Sequence, residues 1–437
     1  MREMKDSGVE WIGEIPVNWS IERLQWHLYE IKESNNPIKT TQILSLTNKY
    51  GVIPYEEKGE QGNKAKENYN EYKLAYPDTI VANSMNILIG SVGICHYYGC
   101  VSPVYYVFKP HINENLNFLN YVFQMEQFQK ELRRFANGIL EIRLRLSAAN
   151  ILKRVVAFPP CEEQIIISRF LDKKCSQIDA LISNAQQQIE KLKAYKQSII
   201  TETVTKGLDP DAPMKDSGVE YLGKIPSNWG IISIGIAFKY IGGYAFKSEL
   251  FCGETENQVL RIGNIKNDNL ILNEKQVFIR DDYAEQARNC EVDEEDILFT
   301  MTGTKGKKDY FYTLLVSADN LRDKNLFINQ RVGIFRKKVA DIIMRYYNYV
   351  LKEYSILNYI FLSETGTANQ GNLGIENISR TKMFLPPLDE QLQIADYLDT
   401  KCSQIDNLIS IKQKKIDKLQ QYKKSLIYEY VTGKKEV

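Results

Sequence analysis

The chain has 437 residues, 43% of them hydrophobic and 25% charged, which is material for two or three domains and far from the composition of a disordered polypeptide. No apolar run nears the length of a membrane span, the N-terminus lacks a secretory apolar core, and seven cysteines do not make a disulfide scaffold, so reduced thiols and a cytoplasmic location are expected. Fifty-six basic and 55 acidic residues nearly cancel, so only local charge can argue for nucleic acid.

The chain begins with a box, Met4 to Trp19 (MKDSGVEWIGEIPVNW), that returns at Met214 to Trp229 with twelve of sixteen positions identical. Between the first box and a later Pro-Pro lies an insert, about Ser20 to Phe158. Its strand candidates are Gln42 to Leu46, Thr79 to Ala82, Ile87 to Ser91 and Val101 to Phe108. Phe118, Val122, Met125, Phe128, Leu132 and Phe135 then form one helical face, and a short strand, Val155 to Phe158, runs into the prolines.

Segment 162–206 has no internal Gly or Pro. Leu171, Cys175, Ile178, Ile182, Ala185, Ile189, Leu192, Lys196 and Ile199 recur in steps of four and three, a heptad seam with one polar break. Pro160 opens this helix and Gly207 ends it. After the second box comes a second insert, about Gly230 to Leu385, with strand candidates Val259 to Gly263, Ile297 to Thr302, Asn329 to Phe335 and Met383 to Leu385. Its helical face is Ile343, Tyr347, Val350, Tyr354, Leu357 and Phe361. A second helix follows between Pro387 and Gly433, with Leu398, Cys402, Ile405, Ile409, Lys412, Ile416, Leu419, Lys423 and Leu426 on the same seam. Pro159 to Ser183 and Pro386 to Ser410 share sixteen of twenty-five positions at an offset of 227. The chain is therefore a duplicated unit of box, insert and helix, whose inserts show no sequence kinship, and the two seams are expected to pair with each other.

Each insert carries a basic stretch. Residues 130–154 hold seven basic side chains against two acidic, and residues 301–338 hold nine against three. Arg133, Arg134, Arg143 and Arg145 in the first, and Lys305, Lys307, Lys308 and Arg331 in the second, are the candidate DNA contacts. Arg331 falls in a strand candidate, so a structural role competes with DNA contact there. No catalytic or metal constellation is present: there is no HExxH, no paired CxxC, no phosphate-binding loop and no methyltransferase tetrad. Cys95, His96 and Cys100 lie close together in an apolar run that reads as packing. The chain reads as non-catalytic.

The doubled boxes, the PPxxEQ helix starts with LDxKCSQIDxLI, SPVYYVF at Ser102 to Phe108, ILFTMTG at Ile297 to Gly303 and NQRVGIF at Asn329 to Phe335 resemble the DNA-specificity (S) subunit of type I restriction-modification systems. The resemblance covers essentially the whole chain. It implies an α+β fold: two mixed α/β target recognition domains separated by two long helices forming an antiparallel coiled coil, with an internal pseudo-two-fold duplication. On this reading, residues 1–158 with box 4–19 are the first recognition domain, 159–206 the central helical region, 207–213 a linker, 214–385 with box 214–229 the second recognition domain and 386–437 the distal helical region. The seam residues carrying the coiled coil are Leu171, Ile178, Ile182, Ile189, Leu192, Leu398, Ile405, Ile409, Ile416 and Leu419. Each insert is expected to read half of a bipartite asymmetric site in double-stranded DNA. The helices are expected to set the spacer and dock two methyltransferase and two motor-nuclease subunits, with no membrane partner. No cofactor or metal is expected on this chain; S-adenosylmethionine, ATP and Mg are expected on the partner subunits. A coiled-coil scaffold joining two protein-binding domains remains the alternative.

Overall fold

A computed structural model describes residues 2–47, 50–59, 68–112, 114–136, 145–266, 269–367 and 370–437. The chain divides into two compact units, residues 1–187 with 412–437 and residues 188–411. Two long helices, Cys161–Lys206 and Leu388–Val431, contribute to both. Each begins directly after a Pro-Pro pair and ends before a glycine with left-handed backbone, Gly207 (φ +78°) or two residues before Gly433 (φ +72°).

In the first unit, the hairpin Met4–Asp6 with Glu14–Pro16 opens the chain, and Ser20–Arg23 pairs antiparallel with Val155–Phe158. Between them lies an antiparallel sheet in the order Leu28–Ile31, Tyr105–Pro110, Thr79–Asn83, Val92–Cys95. Strand Thr79–Asn83 is buried throughout because both sheet faces are covered. Ile80, Ala82 and Phe108 join the core under the helices, whereas Val81, Val107, Cys95 and Val101 join a second cluster on the other face. The thiols of Cys95 and Cys100 are buried as packing, and burial pushes both up.

The second unit repeats this plan. Met214–Asp216 pairs with Lys224–Pro226, and Gly230–Ser233 pairs with Lys382–Leu385. Its sheet runs Phe238–Gly242, Val332–Lys337, Ile297–Thr300, Thr313–Leu315, again fully antiparallel. Ile297, Phe299 and Phe335 face one cluster, Leu298 and Ile334 the other. The two inserts, unrelated in sequence, thus share strand order, direction and two-faced burial. This unit adds a sheet of Phe251–Cys252, Phe278–Ile279, Asn257–Leu260 and Asn325–Ile328, the last two parallel.

Several expected elements differ. Ile87 to Ser91 is not a strand: Ile87–Ile89 is one 3-10 turn closed by Gly90 at φ +82°. Val101 to Phe108 is interrupted by a turn, giving Gly99–Val101 and Tyr105–Pro110. The apolar face from Phe118 to Phe135 belongs to two helices, Leu116–Gln124 and Glu126–Arg133, because Met125 is extended (ψ 125°). The face from Ile343 to Phe361 likewise splits into Met344–Val350 and Tyr354–Phe361, where Glu353 caps the second helix by accepting the Ile356 N–H. Asn329 to Phe335 begins as a turn, and the strand is Val332–Lys337.

Within each unit the long helices pair antiparallel. In the first, Phe170 packs on Tyr430 at 4.5 Å, and nine residues on from Phe170, Asp179 pairs with Lys423 at 2.7 Å. In the second, Lys196 pairs with Asp406 at 2.7 Å while Gly207 abuts Glu390. Leu171, Ile178, Ile189, Leu398, Ile405 and Ile416 are buried; Ile182, Leu192, Ile409 and Leu419 are half-buried. The polar break at Lys196, and its equivalent at Lys423, is therefore an ion pair between copies. Asp179 and Asp406 are equivalent by the offset of 227, as are Lys196 and Lys423, and each lysine reaches the other copy's aspartate. A single polar position of this kind specifies register.

Matching joints tie each insert to a long helix. Tyr121 donates to Asp172 and Tyr349 to Asp399, both at 2.7 Å, and burial, with the carboxylate adding to it, pushes both phenols up. Gln164 accepts the Asn115 N–H and donates to Pro159 O; Gln391 accepts the Ile343 N–H and donates to Pro386 O.

The box closes the first unit. Trp19 Nε1 donates to Glu163 Oε2 at 3.0 Å, and Arg2 donates to the same carboxylate. Burial raises the Glu163 carboxyl, but these hydrogen bonds outweigh it and hold it below its ordinary range. From the end of the last helix, Tyr428 donates to the Trp11 and Ile12 carbonyls, and Lys434 Nζ donates to Ile12 O at 2.7 Å. At Gly433 a Cβ would lie 2.4 Å from Pro16 Cδ, whereas at Gly8, also left-handed (φ +69°), it would meet nothing within 4 Å. Gly8→Ala is therefore expected to cost about 1–2 kcal/mol from backbone alone. Gly433→Ala should cost clearly more and detach the box, as urea unfolding followed by Trp19 fluorescence in a background with Trp11, Trp26 and Trp229 replaced by Phe would show. Equal losses would mean that the box is not clamped by this contact.

Candidate nucleic-acid interface

In the second unit, the turn joining Thr302–Gly303 to Thr313–Leu315 carries Lys305, Lys307 and Lys308, all exposed. Its path needs left-handed backbone at Gly306 (φ +79°), Lys308 (φ +51°) and Phe311 (φ +60°). The Asp309 carboxylate accepts the Thr304 N–H at 2.7 Å, and this bond, helped by the Lys307 charge, holds Asp309 below its ordinary range. Lys305 Nζ donates to Gly366 O at 3.0 Å and Lys308 Nζ to Asn358 Oδ1 at 2.6 Å. Arg331 is not in a strand: it occupies the exposed turn before Val332, and its carbonyl accepts the Met301 N–H at 3.0 Å. The fold thus brings Arg331 beside the strand that leads into the lysine turn.

The basic count overstates the free charge. Arg336 is engaged by Asp296 (2.6 Å) and Asp293 (2.8 Å), and the hydrogen bond to Asp296 raises its pKa further. Arg154 in the first unit stacks on Phe135 at 3.5 Å and donates to Asn150 O. Both are structural.

In the first unit, Arg133 and Arg134 sit exposed at the end of helix Glu126–Arg133, and Arg134 pairs with Glu131 at 3.2 Å. Arg145 is exposed and precedes Leu146, whose carbonyl accepts the Tyr106 hydroxyl at 3.0 Å. Arg143 lies outside the described residues. Lys73, missed in the sequence because it stands alone, lies over the Tyr106 ring at 5.3 Å and donates to Tyr105 O at 2.8 Å; burial lowers its pKa. Burial and Glu30 push the Tyr106 phenol up, while the Arg145 charge opposes this. Lys73 thus lies on the ring of Tyr106, whose hydroxyl is held by the residue that follows Arg145.

Also missed was a polar hairpin, Thr365–Thr367 with Gln370–Asn372, which pairs with Thr302–Gly303. Glu364, at its base, accepts the Gly306 N–H at 3.0 Å and the Tyr310 hydroxyl at 2.7 Å. Its only sequence signals are two glycines among Thr, Asn and Gln. Among the described residues, no group of three or more His, Cys, Asp or Glu side chains could hold a metal ion, and no helix is long and apolar enough to cross a membrane.

Residues 25–191 and 226–421 match the family model described as the type I restriction modification DNA specificity domain. The chain belongs to this specificity family. It is 27% identical over 283 residues to the type I restriction enzyme MjaVIII specificity subunit of Methanocaldococcus jannaschii, a match spanning 64% of this chain and 61% of that protein. A chain solved in work on complex assembly and conformational transition of the type I R-M system aligns with a TM-score of 0.69 and 12% identity, covering 95% of this chain and 98% of that one. At that identity the likeness is one of fold. The specificity domain occurs twice, as the duplication requires.

Proposed function

We propose that this chain is the DNA sequence-recognition subunit of a type I restriction-modification complex and is itself non-catalytic. Residues 1–158 and 214–385 each read one half of a bipartite, asymmetric site. The helical regions 159–206 and 386–437, joined through linker 207–213, set the spacer and dock two methyltransferase and two motor-nuclease subunits. S-adenosylmethionine then belongs to the methyltransferases, and ATP and Mg to the motor-nucleases. One observation carries this reading: two sheets of identical topology hold exposed basic side chains that differ in sequence, on a helical frame that is duplicated. Shared frame and divergent surface suit two different half-sites. Lys and Arg on exposed turns supply phosphate contacts, and Arg, Gln and Asn supply base-edge contacts.

The test is sequencing of methylated adenines in cells that carry the chain with its methyltransferase. Exchanging residues 20–158 for the corresponding insert of a relative is expected to change one half-site and leave the other. A change in both would refute the modular assignment. The purified chain alone is expected neither to cleave nor to methylate DNA, and methyl transfer by the lone chain would refute the non-catalytic role.

A further inference from the structure

We infer that the paired strands Thr365–Thr367 and Gln370–Asn372 form the base-reading ribbon of the second recognition domain, with the side chains of Thr367 and Gln370 selecting the bases of its half-site. The inference rests on the DNA-recognition reading above and assigns to it residues that composition and charge did not reveal.

The ribbon has two chemically different faces. Residues directly opposite in an antiparallel pair share a face, and neighbours along a strand alternate. The register pairs Thr365 with Asn372, Gly366 with Gly371 and Thr367 with Gln370. One face is therefore Gly366 and Gly371; the other is Thr365, Thr367, Gln370 and Asn372. On the glycine face, Gly371 is buried against the lysine turn, whereas Gly366 is exposed. A Cβ at Gly371 would lie 2.4 Å from Glu364 Oε1, 2.7 Å from the Tyr310 hydroxyl and 3.1 Å from Lys305 Cα, so any larger residue would displace the Glu364 carboxylate and the Tyr310 hydroxyl from this approach. Lys305 clamps Gly366 O, and Glu364 clamps Gly306 and Tyr310. The opposite face presents hydroxyl and amide groups, and Thr365, Thr367 and Gln370 are exposed.

A ribbon serving only to pack would bury an apolar face. This one is held by polar bonds and glycine contact, and it turns groups that both donate and accept hydrogen bonds toward solvent. A two-stranded ribbon fits the major groove, where Gln and Asn address adenine edges and Arg addresses guanine. Lys307, on the turn that supports it, is placed for a neighbouring phosphate.

The duplication supplies an independent argument. The offset of 227 that aligns the long helices also aligns strand Val155–Phe158 with Lys382–Leu385 and helix Ala148–Leu152 with the start of Ile375–Arg380. Leu146, Asn150 and Ile151 are identical to Leu373, Asn377 and Ile378 at this offset. Carried three residues further toward the N-terminus, it places Arg143 at the position of Gln370 and Arg145 at that of Asn372. The supporting segment is kept between copies while the ribbon positions change from Arg to amide. This is the pattern of one reading device set for two different half-sites.

The experiment uses the full chain with its methyltransferase and reads the methylated consensus for Gln370→Arg, Gln370→Ala, Thr367→Ala and, as a control, Lys307→Ala. Gln370→Arg is expected to change a base in one half-site, leaving the other half-site and the spacer as they are. Gln370→Ala and Thr367→Ala should relax discrimination at one position by about 5- to 100-fold. Lys307→Ala should keep the consensus and flatten the salt dependence of binding. An unchanged consensus and unchanged discrimination in all three ribbon variants would overturn the inference. Wild-type chain that directs no methylation at all would instead refute DNA recognition itself, so the two failures are distinguishable.

Discussion

One heptad inserted between Gln187 and Gln188, together with one between Ile411 and Lys412, is expected to widen the gap between the methylated half-sites by about three base pairs. Seven helical residues add roughly 10 Å, and DNA rises about 3.4 Å per base pair. The insertion points fall where one compact unit gives way to the other, so every contact within each unit is left alone. Asp179–Lys423 stays in the first and Lys196–Asp406 in the second. Seven residues also keep the seam in phase, whereas five would rotate it away. Insertion into only one helix should abolish methylation, because the two antiparallel pairings cannot then both form on helices of unequal length. An insertion at Gly207 would not test the spacer, since that residue packs on Glu390 and Trp229 in the joint that closes the second unit. Three added base pairs also rotate the half-sites by nearly a third of a DNA turn, so slower methylation is expected alongside the longer gap. Methylation persisting with the original spacing would show that the helices do not set it.

The duplicated frame was legible because its signals are periodic and redundant. The seam repeats in steps of four and three across both helices, and lysines at 196, 412 and 423 interrupt it, although nothing in the spacing marks Asp179 and Asp406 as partners of two of them. Proline and glycine marked the helix ends to within a residue or two. The kinship of the inserts was hidden because a two-faced buried strand asks only for apolar residues: Thr79–Asn83 and Ile297–Thr300 occupy the same place with different side chains. Apolar periodicity also runs straight through a helix break. Met125 and Glu353 keep their places in the pattern, although the backbone turns extended at each. Charge counting found the lysine turn but could not separate Lys307, which faces solvent, from Arg336, which is held by two aspartates. The paired strands Thr365–Thr367 and Gln370–Asn372 carry no charge and no apolar pattern, so only strand register and glycine contact reveal them.

If the helical regions dock two methyltransferase subunits as proposed, Leu181→Asp together with Leu408→Asp is expected to abolish methylation while leaving the chain folded, because each removes an exposed apolar side chain from one of the two equivalent positions. Leu181 is 48% exposed and Leu408 46%; Tyr195 is 59% exposed and Tyr422 54%. These are two equivalent pairs at the offset of 227. The Asp179–Lys423 pair brings Leu181 and Tyr422 within about a turn of each other across the first unit's helices, and Lys196–Asp406 does the same for Tyr195 and Leu408 in the second. Each unit therefore presents one leucine and one tyrosine, contributed by different copies of the duplicated sequence. Large apolar side chains left in solvent at matching positions suit two identical partners bound in the same way. Exposed substitutions of this kind should change stability by no more than about 0.5 kcal/mol. Loss of an apolar anchor at the centre of an interface costs about 2 kcal/mol or more, a weakening of at least roughly 30-fold. Native mass spectrometry of the reconstituted complex should show one methyltransferase subunit lost in either single variant and both lost in the double. Two subunits still bound in the double variant would place the docking surface elsewhere on the chain, and the exposed leucines would then need another explanation.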